Sequence, residues 1–379
     1  MISACCLRGE DADSLRPLLG DWALKLPTGE VGWLAVQEES GKPAASLMWA
    51  VGSAKPIPGL SFEGGALVFN RAIRPPGTGK EPAAMNRIAA RIEAGRLRFA
   101  MRPVAGGAEV EFFGKRMPPM PPRPDLSQAR FGNPTALFNG RDLTGWRVSD
   151  PKKINGWSVR DGVLVNDTPK KDFGAYGDHA NLLTESVFTD FKLHIEYRLP
   201  ADGGNSGVYL RGMYEVQVTD RDSKMQGING PGAIFGLIAP SKNAGKPGGE
   251  WNSYDLMLAD RHVTVVLNGE RVIDNQPVAG PTGGAWLSDV TQPGPIFLQG
   301  DHTAVEYRNI VLVPVTPAIA VTNSTAMMAE QLPRWYPSAQ LPPCASLMFS
   351  TGISARGRNS RVPSPMPKAQ IAICLGQRS

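Results

Sequence analysis

The sequence predicts an all-β protein: a two-sheet sandwich or jelly roll over residues 135–316, preceded by a small antiparallel β domain at 18–116. Three observations carry that expectation. Short segments alternate apolar and polar residues, as in Leu193–Asp220, and successive side chains of a strand point to opposite faces. Turn-forming residues punctuate them, among 42 glycines and 34 prolines. No run of a dozen residues in the second domain shows helical spacing.

In the first domain, Leu19-Gly20-Asp21-Trp22 opens a strand. Alternating runs follow at 31–37, 45–51, 66–69, 88–92, 97–101 and 109–114, with glycine turns at Glu93-Ala94-Gly95 and Ala105-Gly106-Gly107. Trp22, Trp33 and Trp49 read as core filling, and no catalytic constellation is visible. Residues 117–124, MPPMPPRP, form an extended spacer, because proline fixes φ; the linker runs over 117–134. In the second domain Asp161-Gly162 and Asn268-Gly269 each sit between short apolar runs. Both dipeptides tolerate the positive φ of a type I′ turn, so each marks a hairpin. After residue 316 the chain has no sustained period, many Ser and Pro and one acid, the composition of a disordered tail.

A chain of 379 residues accommodates two or three domains. The net charge of +5 resides in the tail, where six basic residues face Glu330 alone. The body is therefore neutral and has no electrostatic footprint for nucleic acid. No apolar run is long enough to span a membrane. Cys5, Cys6, Cys344 and Cys374 all lie in the terminal segments, without metal or disulfide spacing; 1–17 is an N-terminal tail. Ile2-Ser3-Ala4-Cys5 has the small-residue pattern that precedes a lipid-modified bacterial cysteine, yet no charged and apolar leader, no signal peptide, stands before it. Two readings stand: a chance match, or an export signal and lipid anchor lost with a truncated start.

The segment Leu137–Trp146, LFNGRDLTGW, resembles the opening of the 3-keto-disaccharide hydrolase domain family. Further matches follow in order: Trp157–Leu164, Leu183–Glu185, Phe188–Glu196, Asn205–Gly212, Tyr214–Val218, Trp251–Tyr254, Leu298-Gln299 with His302, and Glu306–Ile310. The resemblance covers residues 135–316. It implies a concanavalin-like jelly roll, a carbohydrate substrate, an extracytoplasmic bacterial location and hydrolysis of glycosides whose sugar carries a C3 ketone. That ketone acidifies the C2 proton, so a base can form an enolate. The enolate expels the C1 substituent, and water adds back. Such a site needs a base near C2, donors at the C3 oxygen and an acid at the leaving oxygen. Ordinary glycosidases flank C1 with two carboxylates, and this sequence could place two there as well.

The alternation presents three polar rows: His194/Glu196/Arg198, Tyr209/Arg211 and Glu215/Gln217, with Asp220 just beyond. Pointed into one hollow, they would form a sugar groove. Glu215 is the first choice for a base or metal ligand, against a solvated outer face. Gln217, two residues on, shares its face and suits a hydroxyl contact. Arg211 could pair with Glu215, polarise a carbonyl or serve a structural ion pair. His302, where an apolar strand runs into a loop, could move protons or ligate a metal; the bland alternative is a backbone-bonded loop histidine. Asp301 would orient it or cap the turn. The family pattern sets the histidine close behind Leu-Gln, whereas here Gly300 and Asp301 intervene. Glu196, Asn205, Tyr209, Asn252, Tyr254 and Gln299 complete the substrate contacts; a cross-sheet ion pair competes at Glu196, a plain turn at Asn205. Trp146, Trp157 and Trp251 read as core. A divalent metal could stabilise an enolate, but no HxH or HExxH spacing supports one, and no cofactor is assigned. The rival reading is a non-catalytic carbohydrate-binding module, because the same jelly roll serves recognition without chemistry. A scaffold role stands third.

Overall fold

The computed structural model describes residues 14–73, 84–169 and 178–317. The four cysteines, the expected export motif and almost all of the tail lie outside the described residues. The described residues cluster as one compact unit.

The N-terminal domain is a nine-stranded antiparallel sheet. Its path runs Val51–Pro56, Lys42–Trp49, Val31–Glu39, Gly20–Lys25, Val110–Arg116, Arg96–Pro103, Ala84–Glu93, Ala66–Ile73, Ser61–Glu63. Every expected strand is present; Val51–Pro56 and Ser61–Glu63 are additions. The expected 45–51 run breaks because Ala50 and Gly52 take positive φ, 62° and 76°. The chain folds back there, with Trp49 opposite Val51. Alternation then divides the side chains between two cores. Trp22, Leu24, Leu34 and Val36 pack with Phe69, Ile88 and Phe99 inside the curled sheet. Their neighbours Ala23, Trp33 and Ala35, with Met48, face the other way and join the core of the second domain. Trp22 and Trp33 are core residues, each with its indole N–H bonded, to Leu18 O and to Asp21 Oδ1.

The proline-rich stretch is not a free spacer. Arg261 donates to Pro118 O at 2.9 Å and Asn275 Nδ2 to Pro124 O at 3.0 Å. Those bonds lay the segment along the second domain.

The second domain is a jelly-roll sandwich. One sheet is ordered Trp157–Arg160, Val163–Asn166, Val305–Thr316, Phe191–Arg198, Trp251–Ala259, His262–Leu267, Glu270–Pro277, with two short strands, Arg130–Phe131 and Thr135–Ala136, pairing the end of Val305–Thr316. The other is ordered Trp146–Val148, Leu182–Thr184, Phe297–Leu298, Asn205–Leu210, Tyr214–Thr219. Asp161 and Gly162 (φ 50° and 77°) and Asn268 and Gly269 (53° and 82°) make the two expected turns. Between the sheets, Leu193, Ile195, Tyr197, Tyr254 and Leu256 meet Val208, Leu210, Tyr214, Val216 and Val218. Each such side chain contributes about 1.5–3 kcal/mol of burial. Tyr254 also ties the layers together, donating to Gln217 O at 2.5 Å.

Candidate active site

With the even-numbered residues of Tyr214–Thr219 committed to that core, Glu215, Gln217 and Thr219 must point from the opposite face. Register extends the face across the five strands. Glu215 stands opposite Tyr209, Tyr209 opposite Phe297, Phe297 opposite Leu183, and Leu183 opposite Arg147. Tyr209 and Phe297 stack with centroids 4.4 Å apart. The next row holds Gln217 opposite Gly207, with Gln299 N–H bonded to Gly207 O at 2.9 Å. A Cβ at Gly207 would overlap Glu215 Oε1, so glycine there makes room for the carboxyl group.

Glu215 is 3 % exposed. Burial raises its pKa to about 8; the hydrogen bond from Tyr209 opposes the rise and the charge of Asp301 adds to it. The hydrogen count agrees with a protonated carboxyl. Tyr209 Oη lies 2.9 Å from both Glu215 Oε2 and the Gly283 carbonyl oxygen, yet a phenol has one hydrogen. If Glu215 donates to the phenol oxygen and the phenol donates to Gly283, every partner is satisfied. Burial and Glu215 together hold the Tyr209 pKa well above that of a free tyrosine.

Asp301 and His302 sit on the loop after the Phe297–Leu298 strand, with His302 Nδ1 2.6 Å from Asp301 Oδ1. Gly300 anchors the loop: its N–H donates to Asn181 Oδ1 at 2.7 Å, and its carbonyl accepts from Asn166 Nδ2 at 3.0 Å and Thr168 Oγ1 at 2.5 Å. Of the two residues that intervene after Leu-Gln, Gly300 thus anchors the loop and Asp301 forms a carboxylate–imidazole pair with His302. Gln217 Nε2 donates to Asn205 Oδ1 at 2.7 Å. The Oε1 atoms of Gln217 and Gln299 are buried without a hydrogen-bond partner. Among the described residues no three His, Cys, Asp or Glu side chains converge as metal ligands.

The structure thus brings together Glu215, Tyr209, Gln217, Asn205, Gln299, Asp301 and His302. Seven expected residues lie elsewhere. The His194/Glu196/Arg198 row belongs to the larger sheet and faces outward, where Glu196 binds Arg308 at 2.6 Å and Asn309 at 2.9 Å. Alternation fixed the parity of that row but not which sheet carries it. Arg211 occupies a turn at φ 56°, and its guanidinium donates to the carbonyls of Val290 at 2.7 Å and Gln292 at 2.5 Å. It braces a loop and makes no bond to Glu215. Tyr254 is spent on the inter-sheet core, and Asn252 organises a loop, accepting from Lys246 N and Asn268 Nδ2. Asp220 likewise holds its own loop, accepting from Asp222 N at 3.0 Å. Trp146 and Trp157 are buried, but Trp251 lies outside, beneath the Arg308 and Arg198 guanidiniums at 3.9 and 4.8 Å.

Sequence reasoning missed Trp286, Arg147 and Gly283. Trp286 is 40 % exposed, two residues beyond the Gly284 that abuts the Tyr209 phenol, and Arg147 approaches its ring at 5.7 Å. A tryptophan within a glycine-rich loop, Thr282–Trp286, was the available signal.

Residues 133–313 match the family model of the 3-keto-alpha-glucoside-1,2-lyase-like domain. A 3-keto-disaccharide hydrolase of Bacteroides thetaiotaomicron is 24 % identical over 165 residues, covering 36 % of this chain and 57 % of that enzyme; the chain spans little more than half its relative's length. Among solved structures, a Parabacteroides distasonis protein named a "putative glycosyl hydrolase" is 29 % identical, covering 52 % of this chain and 93 % of that one, with a TM-score of 0.38. Porphyranase B from Zobellia galactanivorans is 10 % identical over 53 % of this chain and all of its own, with a TM-score of 0.31. Residues 133–313 are thus a 3-keto-disaccharide hydrolase-like domain by the family model they match, joined here to an N-terminal nine-stranded sheet.

Proposed function

We propose that the protein cleaves 3-keto-glycosides, 3-keto-disaccharides among them, by elimination and hydration at the face carrying Glu215. The observation that carries this reading is the buried Glu215 carboxyl, bonded to Tyr209 and within electrostatic reach of the Asp301 that pairs with His302. Asp301, as an acceptor, holds the proton of His302 on Nδ1 and leaves Nε2 free to take one. In this reading His302 removes the C2 proton while the C1–C2 double bond forms and the C1–O bond breaks. Glu215, protonated below about pH 8, gives its proton to the departing oxygen. Water then adds its oxygen to C1 and a proton returns to C2, so the net reaction is hydrolysis. This reverses the sequence-based preference for Glu215 as base, because a carboxyl that keeps its proton at neutral pH is better suited to donate it. Gln217, Gln299 and Asn205 would take the hydroxyls, and Trp286 would stack on a ring face. The names of the matching family and of the Bacteroides thetaiotaomicron relative agree with this substrate class.

A binding module has no use for a carboxyl with a raised pKa, and Trp286 is a single ring rather than a platform; both favour the enzyme. An extracytoplasmic location accompanies the family resemblance and is checked by cell fractionation. Incubating the protein with a 3-keto-disaccharide should release reducing sugar, and His302→Gln should lose about 10²–10⁴-fold in kcat. A folded protein that releases none, with divalent metals supplied, would overturn the reading.

A further inference from the structure

The N-terminal sheet reaches the segment on which the Glu215 face depends. We propose that the hairpin at Ala50–Ser53 is a positioning element of the active site, holding Thr282–Gly284 in the place that completes the Tyr209–Glu215 hydrogen-bond chain. The catalytic consequence rests on the proposed function; the structural one does not.

The segment is gripped from both sides. On the hairpin side, Gly284 N–H donates to Ala50 O at 2.7 Å. A Cβ on Gly283 would overlap the Gly52 backbone, one on Gly236 would overlap Ser53, and one on Gly280 would enter the Trp33 ring. Backbone thus meets the hairpin at a separation only glycine permits. On the site side, Gly283 O accepts from Tyr209 at 2.9 Å, and a Cβ on Gly284 would stand 2.8 Å from the phenol oxygen. Thr282 Oγ1 accepts from Glu215 N at 3.0 Å and donates to Met213 O at 3.2 Å, while Phe235 N donates to Glu215 O at 3.0 Å. Both glycine-bearing loops therefore run between the hairpin and the backbone of the Glu215 strand. They are thin: no side chain of Gly283 or Gly284 cushions the phenol from a shift of the hairpin.

A sheet that merely covered the core would affect stability alone. A positioning hairpin has an electrostatic signature. If Gly283 O withdraws, the Tyr209 hydrogen turns wholly to the Glu215 carboxylate and water gains entry; both favour the charged form and lower the Glu215 pKa.

The test uses the full chain with Gly283→Ala, which forces the segment off the hairpin, and Ser53→Leu, which pushes on Gly236 from the hairpin and leaves the jelly roll intact. The Glu215 carboxyl is titrated by ¹³C NMR in each folded variant, and the high-pH limb of kcat on a 3-keto-disaccharide is recorded beside it. The expected result is a downward shift of the carboxyl titration by about one unit, with the limb moving with it and kcat falling. Should Gly283→Ala fail to fold, Ser53→Leu carries the test. Folded variants that are less stable but titrate as the wild type would overturn the inference. A wild type inactive on keto-glycosides would sink the proposed function alone, because the carboxyl titration needs no substrate.

Discussion

Replacing Glu215 with glutamine should change how stability depends on pH. The folded carboxyl keeps its proton to about pH 8, whereas in the unfolded chain it releases it near 4.5, the ordinary glutamate value. Between those limits the folded state binds the extra proton. The stabilisation is therefore fully present below about pH 4.5 and is lost as pH rises towards 8. At roughly 1.4 kcal/mol per unit, a gap of about 3.5 units amounts to about 5 kcal/mol. Asp190 is also raised by burial, to about 6, and imposes a second loss between about pH 4 and 6. It is common to both proteins and cancels in the comparison. Chemical denaturation at half-unit steps from pH 5 to 9 reads the difference directly. Glu215→Gln should gain on the wild type steadily up to about pH 8 and then run parallel to it. A difference that does not vary with pH would show that the carboxyl titrates normally and would remove the protonated acid from the account.

Gly207→Ala should displace the Glu215 carboxyl and cost about 100-fold in kcat, as misplacement by about an ångström does; steady-state kinetics on a folded variant decide it. Arg211→Met should remove two charged hydrogen bonds to loop carbonyls, lowering stability by about 3 kcal/mol or more, while Glu196→Gln on the outer sheet should cost less than about 1 kcal/mol. Denaturation midpoints compare them, and equal losses would contradict the placement of the two residues. Trp286→Ala should raise KM for a 3-keto-disaccharide about ten-fold, equivalent to roughly 1.4 kcal/mol of ring stacking; an unchanged KM would take Trp286 out of the substrate contacts.

Local pattern carried much of this architecture. The hairpins at Asp161-Gly162 and Asn268-Gly269 follow from residues that accept positive φ, and the shared face of Glu215 and Gln217 follows from a two-residue period. Parity has a limit, however. It says that Glu196 and Glu215 each face away from an apolar neighbour, but not that they belong to different sheets. Nor does parity say which side of Trp251–Tyr254 faces the core, and the fold turned the Asn252/Tyr254 side inward. Arg211 sits in a turn, where alternation has no meaning. Arg147, Leu183 and Phe297 join the Glu215 row only through cross-strand register between segments far apart in sequence. The contact between Gly52 and Gly283 leaves no mark beyond two glycines.

Hydrolysis of a 3-keto-disaccharide in D₂O, stopped early and compared with product incubated alone, most directly tests whether this face works through C2. Deuterium at C2 of the released keto sugar, from the wild type but not from His302→Gln, is the result expected. Reducing sugar released with its original C2 hydrogen would mean that the bond breaks without proton abstraction, contradicting the account.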